Sequence, residues 1–252
     1  MMTRPAKLIG LICLFSVLSS AARADSAHVA VASNFAPALS EIAQAFEQQQ
    51  HHHLKISPGS SGKLYAQIIH GAPFDVFFSA DQRKPIALQE RGIGNQRQTY
   101  ATGRLVLWSL RDDLTLEHAR ALTAQPWQRL ALANPRLAPY GLAATQVLEH
   151  LGLHAKTRAR WVQGENIAQT YQFVATGNAD LGFIALAQWR QQAPPNRGHA
   201  WIIPSSWHDP IHQDALLITD NAAARSLLEF MRSASAQAIM QRYGYALESP
   251  PE

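Results

Sequence analysis

The stretch VAVASNFAPALSEIAQAF, residues 29–46, changes period in its middle. Val29 to Ala32 is a continuous apolar run, as expected of a strand buried on both faces. From Pro37 onward, Leu39, Ile42, Ala43 and Phe46 recur at helical spacing. Ser33-Asn34 stands at the switch, and Pro37 suits the first turn of a helix. A helix entered this way presents unpaired N–H groups and the positive end of its dipole. Those two features together hold an anion without a formal cation. Nucleotide binders usually keep glycines at such a turn, whereas this chain has Ser-Asn. Taken alone, the pair reads most simply as a helix N-cap.

A second copy of the arrangement makes the anion reading stronger. In LKISPGSSGKLYAQII, residues 54–69, a strand again meets a small polar turn and a helix. Gly59 and Gly62 allow close backbone approach, and Ser60 and Ser61 bring hydroxyl donors. A P-loop would need Gly at position 57 and Ser or Thr at position 64; the chain has Ser57 and Leu64. The G-x-S-x-G spacing of a nucleophile elbow is also missing. Two further turns have similar character: ANPRLAPYGLAATQVLEHLG (133–152), and VQGENIAQTYQFVATGNADLGFIAL (162–186) with its helix start at Glu165-Asn166-Ile167. Four helix starts converging on one place would form a cleft rich in N–H donors and poor in charge, at the strand ends where open α/β sheets bind ligands.

Strand-like runs continue along the chain at residues 74–80, 104–110, 129–134, 181–186, 200–204 and 215–219. Helical patterns separate them at 61–70, 82–91, 143–151, 167–176 and 222–231. This alternation predicts an α/β protein with largely parallel sheets.

Arg4 and Lys7 precede an apolar run at residues 8–18, and Ala22-Arg23-Ala24 supplies a cleavage pattern. Residues 1–24 are therefore expected to be a cleaved export signal, since the run falls short of the ~20 residues of a membrane span. Cys13, the single cysteine, lies inside that run, so the mature chain of 228 residues relies on core packing rather than disulfides. Without Arg4, Lys7 and Arg23 the balance is 19 basic against 18 acidic residues, with no basic stripe, which argues against a nucleic-acid partner.

ASNF, GSSGKLYAQI, GAPFDVFFSAD, YATGRLVLWS, LALANPRLAPYGLAA, GENIAQTYQFVATGNADLGFIA and RYGY, in that order, span nearly all of the mature chain. In this combination the chain resembles the periplasmic substrate-binding proteins of molybdate ABC transporters. The resemblance implies a two-lobed periplasmic-binding-protein fold, each lobe a mostly parallel sheet flanked by helices, closing over a bare tetrahedral oxyanion. It implies a periplasmic monomer that carries molybdate or tungstate to an inner-membrane ABC permease, with no cofactor. The binding positions it implies are Ser33 or Asn34 and Ser61 in the first lobe, and the backbone near Tyr140 and Ile167 in the second. These are contacts to the metal oxyanion, not a resident metal site. Some family members place a Tyr donor where this chain has Ala185, a role then expected to pass to Tyr140 or Asn34. The lobes are expected as residues 25–108 plus 212–252, and 109–211, with RLVLWSL and IHQDALLI crossing between them.

Such a charge-free site must satisfy each oxygen of a desolvated dianion with fixed donors. Molybdate and tungstate match in size and should both fit. Sulfate is smaller, and protonated phosphate would meet no acceptor. The rivals are a binder of sulfate or another oxyanion, and an exported phosphoester-processing enzyme built on Ser61 and Lys63. His51-His52-His53 is expected to be a solvated helix end, because three consecutive side chains diverge and cannot easily share one ion. Asp81 is expected to cap rather than catalyse. The six Trp residues fall in or beside the second lobe, which predicts a fluorescence change on closure.

Overall fold

The computed structural model describes residues 25–116, 119–123, 126–193 and 197–247; the expected export signal, residues 1–24, lies outside them. Along the first half run β1 (Ser26–Ala32), α1 (Ala36–Gln50), β2 (His53–Gly59), α2 (Ser61–Ile69), β3 (Val76–Phe78), α3 (Arg83–Glu90) and β4 (Asn95–Gly103). Then come β5 (Leu105–Ser109), α4 (Arg120–Thr123), β6 (Leu130–Ala133), α5 (Pro139–His150), α6 (His154–Thr157), β7 (Trp161–Gly164), α7 (Ile167–Ala175), β8 (Leu181–Ala185), α8 (Leu186–Arg190) and β9 (His199–Ile202). The chain finishes with β10 (Ile211–Leu217), α9 (Ala222–Phe230) and α10 (Ala234–Arg242).

Two five-stranded sheets result, ordered β2-β1-β3-β10-β4 and β7-β6-β8-β5-β9. In each, three parallel strands are followed by one reversed strand, β10 in the first sheet and β5 in the second. The chain changes sheets at Arg104, between β4 and β5, and returns through residues 203–210. The lobe limit expected at Trp108 falls inside β5. Because β5 pairs with β8 and β9, residues 105–108 belong to the second sheet.

Burial explains the apolar runs. Val29 and Val31 face one cluster with Phe35, Ile42, Phe46 and Phe78, while Ala30 between them faces another with Leu64, Ile68 and Phe77. In the second lobe Leu105 and Leu107 alternate with Val106 and Trp108 in the same way. A sheet covered on both faces needs apolar residues at every position, so its strands show no polar alternation.

Where that rule fails, periodicity is silent. β4 reads NQRQTYATG, a polar strand at the sheet edge that pairs along its length with β10 and otherwise meets the chain at a single Thr102–Ala246 bridge. β7 is the opposite sheet's edge, and its first three residues are at least partly exposed. α10 carries few large apolar residues and buries only Ala236, Ile239 and Met240.

Ser33 and Asn34 do not cap α1. The N-cap position falls on Phe35, which makes no side-chain cap bond, and the pair belongs to a turn closed by Phe35 N–H donating to Ala32 O (2.8 Å). Phe35 is fully buried, with its ring 4.6 Å from Tyr100 and 5.3 Å from Tyr245 between centroids, and it anchors that turn. His51 adopts a left-handed backbone at the end of α1 while His53 opens β2, so the tract diverges as expected. Among the described residues no group of His, Cys, Asp and Glu could hold a metal ion, and no helix is long and apolar enough to cross a membrane.

Candidate functional site

The ends of β1 and β2, the second residue after β3, and the first turns of α2, α5 and α7 meet between the two sheets. They line one cavity: Ser33 and Asn34 after β1, Gly59 to Ser61, Ala80, Ala138 to Tyr140, and Asn166-Ile167. Ser33, Asn34, Ser61, Tyr140 and Ile167, singled out from the sequence, all lie on its wall. Its atom-free space is about 190 Å³ even with adjoining solvent included. Pockets for organic ligands run to roughly 300–1,000 Å³, so the size suits a small ion.

Helix capping decides which donors remain available. In α2 the cap is Ser60, whose hydroxyl accepts from Lys63 N–H (3.3 Å), leaving Ser61 free of that duty. Ser61 Oγ accepts from Ala80 N–H (3.0 Å), so its own proton can be donated elsewhere. In α7, Asn166 accepts from the N–H groups of Ala168 and Gln169 (3.0 Å each), and the Ile167 N–H has no partner among the described residues. In α5, Ala138 supplies no side-chain cap and Pro139 has no N–H, so Tyr140 N–H is the first donor of that helix. Ser33 N–H donates to Gly59 O (2.9 Å), whereas its hydroxyl and the Asn34 N–H have no partner among the described residues. Four amides (Asn34, Ser61, Tyr140, Ile167) and two hydroxyls (Ser33, Ser61) therefore remain available on residues of the wall.

Among the described residues no Lys, Arg, His, Asp or Glu lines the cavity. Lys63, two residues after Ser61, donates to Glu165 of the second lobe at 3.0 Å. Asp81 accepts from Lys84 N–H at the start of α3 (3.1 Å), a capping role. The wall can thus complement negative charge with oriented N–H and O–H dipoles, and it has no group placed to take a proton from Ser61.

Of the two side chains expected to replace the missing Tyr donor, the Asn34 amide is committed as a donor elsewhere and the Tyr140 hydroxyl is engaged as an acceptor. Asn34 Nδ2 donates to Gln213 Oε1 (2.8 Å) and to Tyr245 Oη (3.2 Å), and Tyr245 donates back to Asn34 O (2.8 Å). The Tyr140 hydroxyl accepts from Gln213 Nε2 (3.3 Å), and Tyr100 donates to Gln213 Oε1 (3.0 Å). The network is buried and lies where the strands change sheets, beside Gly103 at the end of β4. A Cβ on Gly103 would stand 2.1 Å from the Tyr140 hydroxyl. Burial raises the pKa of all three tyrosines, so they remain neutral donors. Asn34 therefore offers the cavity its backbone amide, whereas Tyr140, its hydroxyl an acceptor from Gln213, keeps both its hydroxyl proton and its backbone amide.

Ala185 is fully buried and is not on the wall. Its N–H donates to Gln188 Oε1 (3.0 Å), and Gln188 Nε2 donates to Ile167 O (3.1 Å). Sequence reasoning missed both Gln213 and Gln188. The available signal was a Gln inside an otherwise apolar run, but the distant partner of such a residue is not readable from spacing. The Trp residues pack into second-lobe clusters and none lines the cavity. Trp207 lies on the returning crossover.

A family model described as bacterial extracellular solute-binding protein matches residues 27–246. The molybdate-binding protein ModA of Azotobacter vinelandii is 41% identical over 237 residues, spanning 92% of this chain and 94% of that protein. ModA of Rhodobacter capsulatus is 37% identical over 242 residues, 94% of each chain. In three dimensions, the solved periplasmic molybdate-binding protein of Azotobacter vinelandii superposes with a TM-score of 0.84 at 41% identity, covering 88% of this chain and 100% of that one. With the matched region covering both sheets and the cleft between them, the chain belongs to the bacterial extracellular solute-binding protein family.

Proposed function

We propose that this chain captures molybdate, and also tungstate, in the cleft between its lobes and delivers it to an inner-membrane ABC permease from the periplasm as a monomer. The observation that carries the reading is the wall itself: available neutral donors contributed by both sheets, with no charged side chain among them. The relatives named as molybdate-binding proteins, 41% and 37% identical over nearly the whole chain, support the same ligand. A dianion bridging both lobes stabilises their closed arrangement by its differential contacts, and the permease would recognise that arrangement. A phosphoester-processing role for Ser61 and Lys63 lacks a base on the wall, and Lys63 is engaged by Glu165.

Titration calorimetry of the mature chain with molybdate, tungstate, sulfate and phosphate tests this. Molybdate and tungstate should bind with similar affinity, sulfate far more weakly, and phosphate without measurable heat. Submicromolar sulfate binding with no molybdate heat would overturn the reading. Ser61→Ala should weaken molybdate by about 1–3 kcal/mol through loss of a hydroxyl donor to a buried anion. An unchanged affinity in the same titration would remove Ser61 from the contact set.

A further inference from the structure

Ser61, Gly62 and Lys63 stand at the start of α2, and each makes a different connection. Ser61 lines the cavity. Gly62 N–H donates to Leu137 O at 2.8 Å, a backbone-to-backbone bond from the first lobe to the second. Lys63 Nζ meets the Glu165 carboxylate, also on the second lobe, at 3.0 Å. Leu137 lies just before Ala138 and Tyr140, and Glu165 just before Asn166 and Ile167, so both cross-lobe ties end beside the second-lobe wall.

We infer that Gly62 is a positioning residue for ligand capture: its bare Cα and its amide form a latch that holds the two lobes in register over the cavity. An ideal Cβ at this position would lie 2.9 Å from Leu137 Cα and 3.0 Å from Leu137 O. Non-bonded carbons settle at roughly 3.5–4.0 Å, so any side chain here pushes the backbones apart. The obstacle is backbone, which cannot rotate aside. The three nearest atoms to that Cβ all belong to Leu137, on the other lobe. Substitution therefore obstructs closure without disturbing the packing of the first lobe. Lys63 and Glu165 are about half exposed (side chains 53% and 43%), so water and salt screen their attraction and leave the glycine as the main element of the latch.

This inference rests on the capture reading above, and its test separates the two. Gly62→Ala and wild type are compared by molybdate calorimetry, by ligand-free melting temperature and by small-angle X-ray scattering with and without molybdate. The variant should melt with the wild type when ligand-free, yet bind molybdate about tenfold or more weakly, because the closed fraction divides into the apparent affinity. Its scattering should remain that of a more extended particle under conditions where wild type compacts. Lys63→Ala should weaken binding no more than about fivefold, and only at low salt. Equal affinity and equal compaction of Gly62→Ala and wild type would overturn the latch. Failure of wild type to bind molybdate would instead overturn the capture reading. The ligand-free scattering then decides alone, with a more compact wild type supporting the latch and identical profiles refuting it.

Discussion

Gly141→Ala should lower the free energy of unfolding by about 3 kcal/mol, the upper part of the range for an overpacked buried site. Gly141 lies in the first turn of α5, directly after Tyr140. A Cβ there would be 2.1 Å from Ala133 O and 2.7 Å from Ala133 C, at the end of β6. Both obstacles are main-chain atoms of a fully buried strand end, so relief requires moving the helix. Moving the helix displaces the Tyr140 amide and Ala138 from the cavity wall, so molybdate affinity should fall together with stability. Gly59→Ala is the contrasting case. The three atoms nearest its Cβ all belong to the Leu64 side chain, the first at 3.1 Å, which can shift, and it should cost much less. Urea unfolding and calorimetry on both variants provide the check. A Gly141→Ala protein within about 0.5 kcal/mol of wild type, the scatter of ordinary surface changes, would mean that the helix start is not held by this close approach.

Asp214→Ala should be comparably destabilising, also by about 3 kcal/mol, the low end of what breaking a buried ion pair costs. Asp214 is fully buried in β10. Its carboxylate accepts from Thr99 Oγ1 (2.7 Å) and Gln82 Nε2 (3.1 Å) and pairs with Arg97. The low end applies because the Arg97 side chain is one-third exposed, so water can rehydrate it once the carboxylate is gone. A register shift between Gln213 and Asp214 lets two consecutive polar residues be buried in different networks, one toward Asn34 and Tyr140 and one toward β4. Asp214→Asn keeps part of the hydrogen bonding and should fall between alanine and wild type. In denaturant titrations a loss below about 1 kcal/mol for the alanine variant would show that these groups find other partners.

Much of the site was legible because its logic is local. The strand-turn-helix pattern marked the helix starts where unpaired N–H groups lie, and the resemblance to the molybdate-binding family then pointed to Ser61, Tyr140 and Ile167 within them. The caps that select among those groups, Ser60 and Asn166, sit within three residues of the amides they cover or leave open. The roles of Asn34 and Tyr140 were not legible at side-chain level. Each is fixed by Gln213, which is 179 residues from Asn34 and 73 from Tyr140. RLVLWSL is expected from the sequence to cross between the lobes, but the expected limit falls at Trp108 and not at Arg104 for a related reason. β4 is polar and β5 apolar, so the apolar run beginning at Leu105 looked like a continuation of the first lobe, although its partners are β8 and β9.

By itself the sequence determined the α/β class, the strands buried on both faces and the helix starts where backbone donors stay open. Those properties follow from hydrophobic period and capping chemistry, which act over a few neighbouring residues. Only the tertiary structure decided that Ser33-Asn34 is a turn and not a cap, that the Asn34 and Tyr140 side chains brace the crossing strands, and that Gly62 touches the opposite lobe. The physical reason is that a donor's availability depends on which acceptor the folded chain brings to it, and a hydrogen bond between residues far apart in the chain leaves no periodicity in sequence.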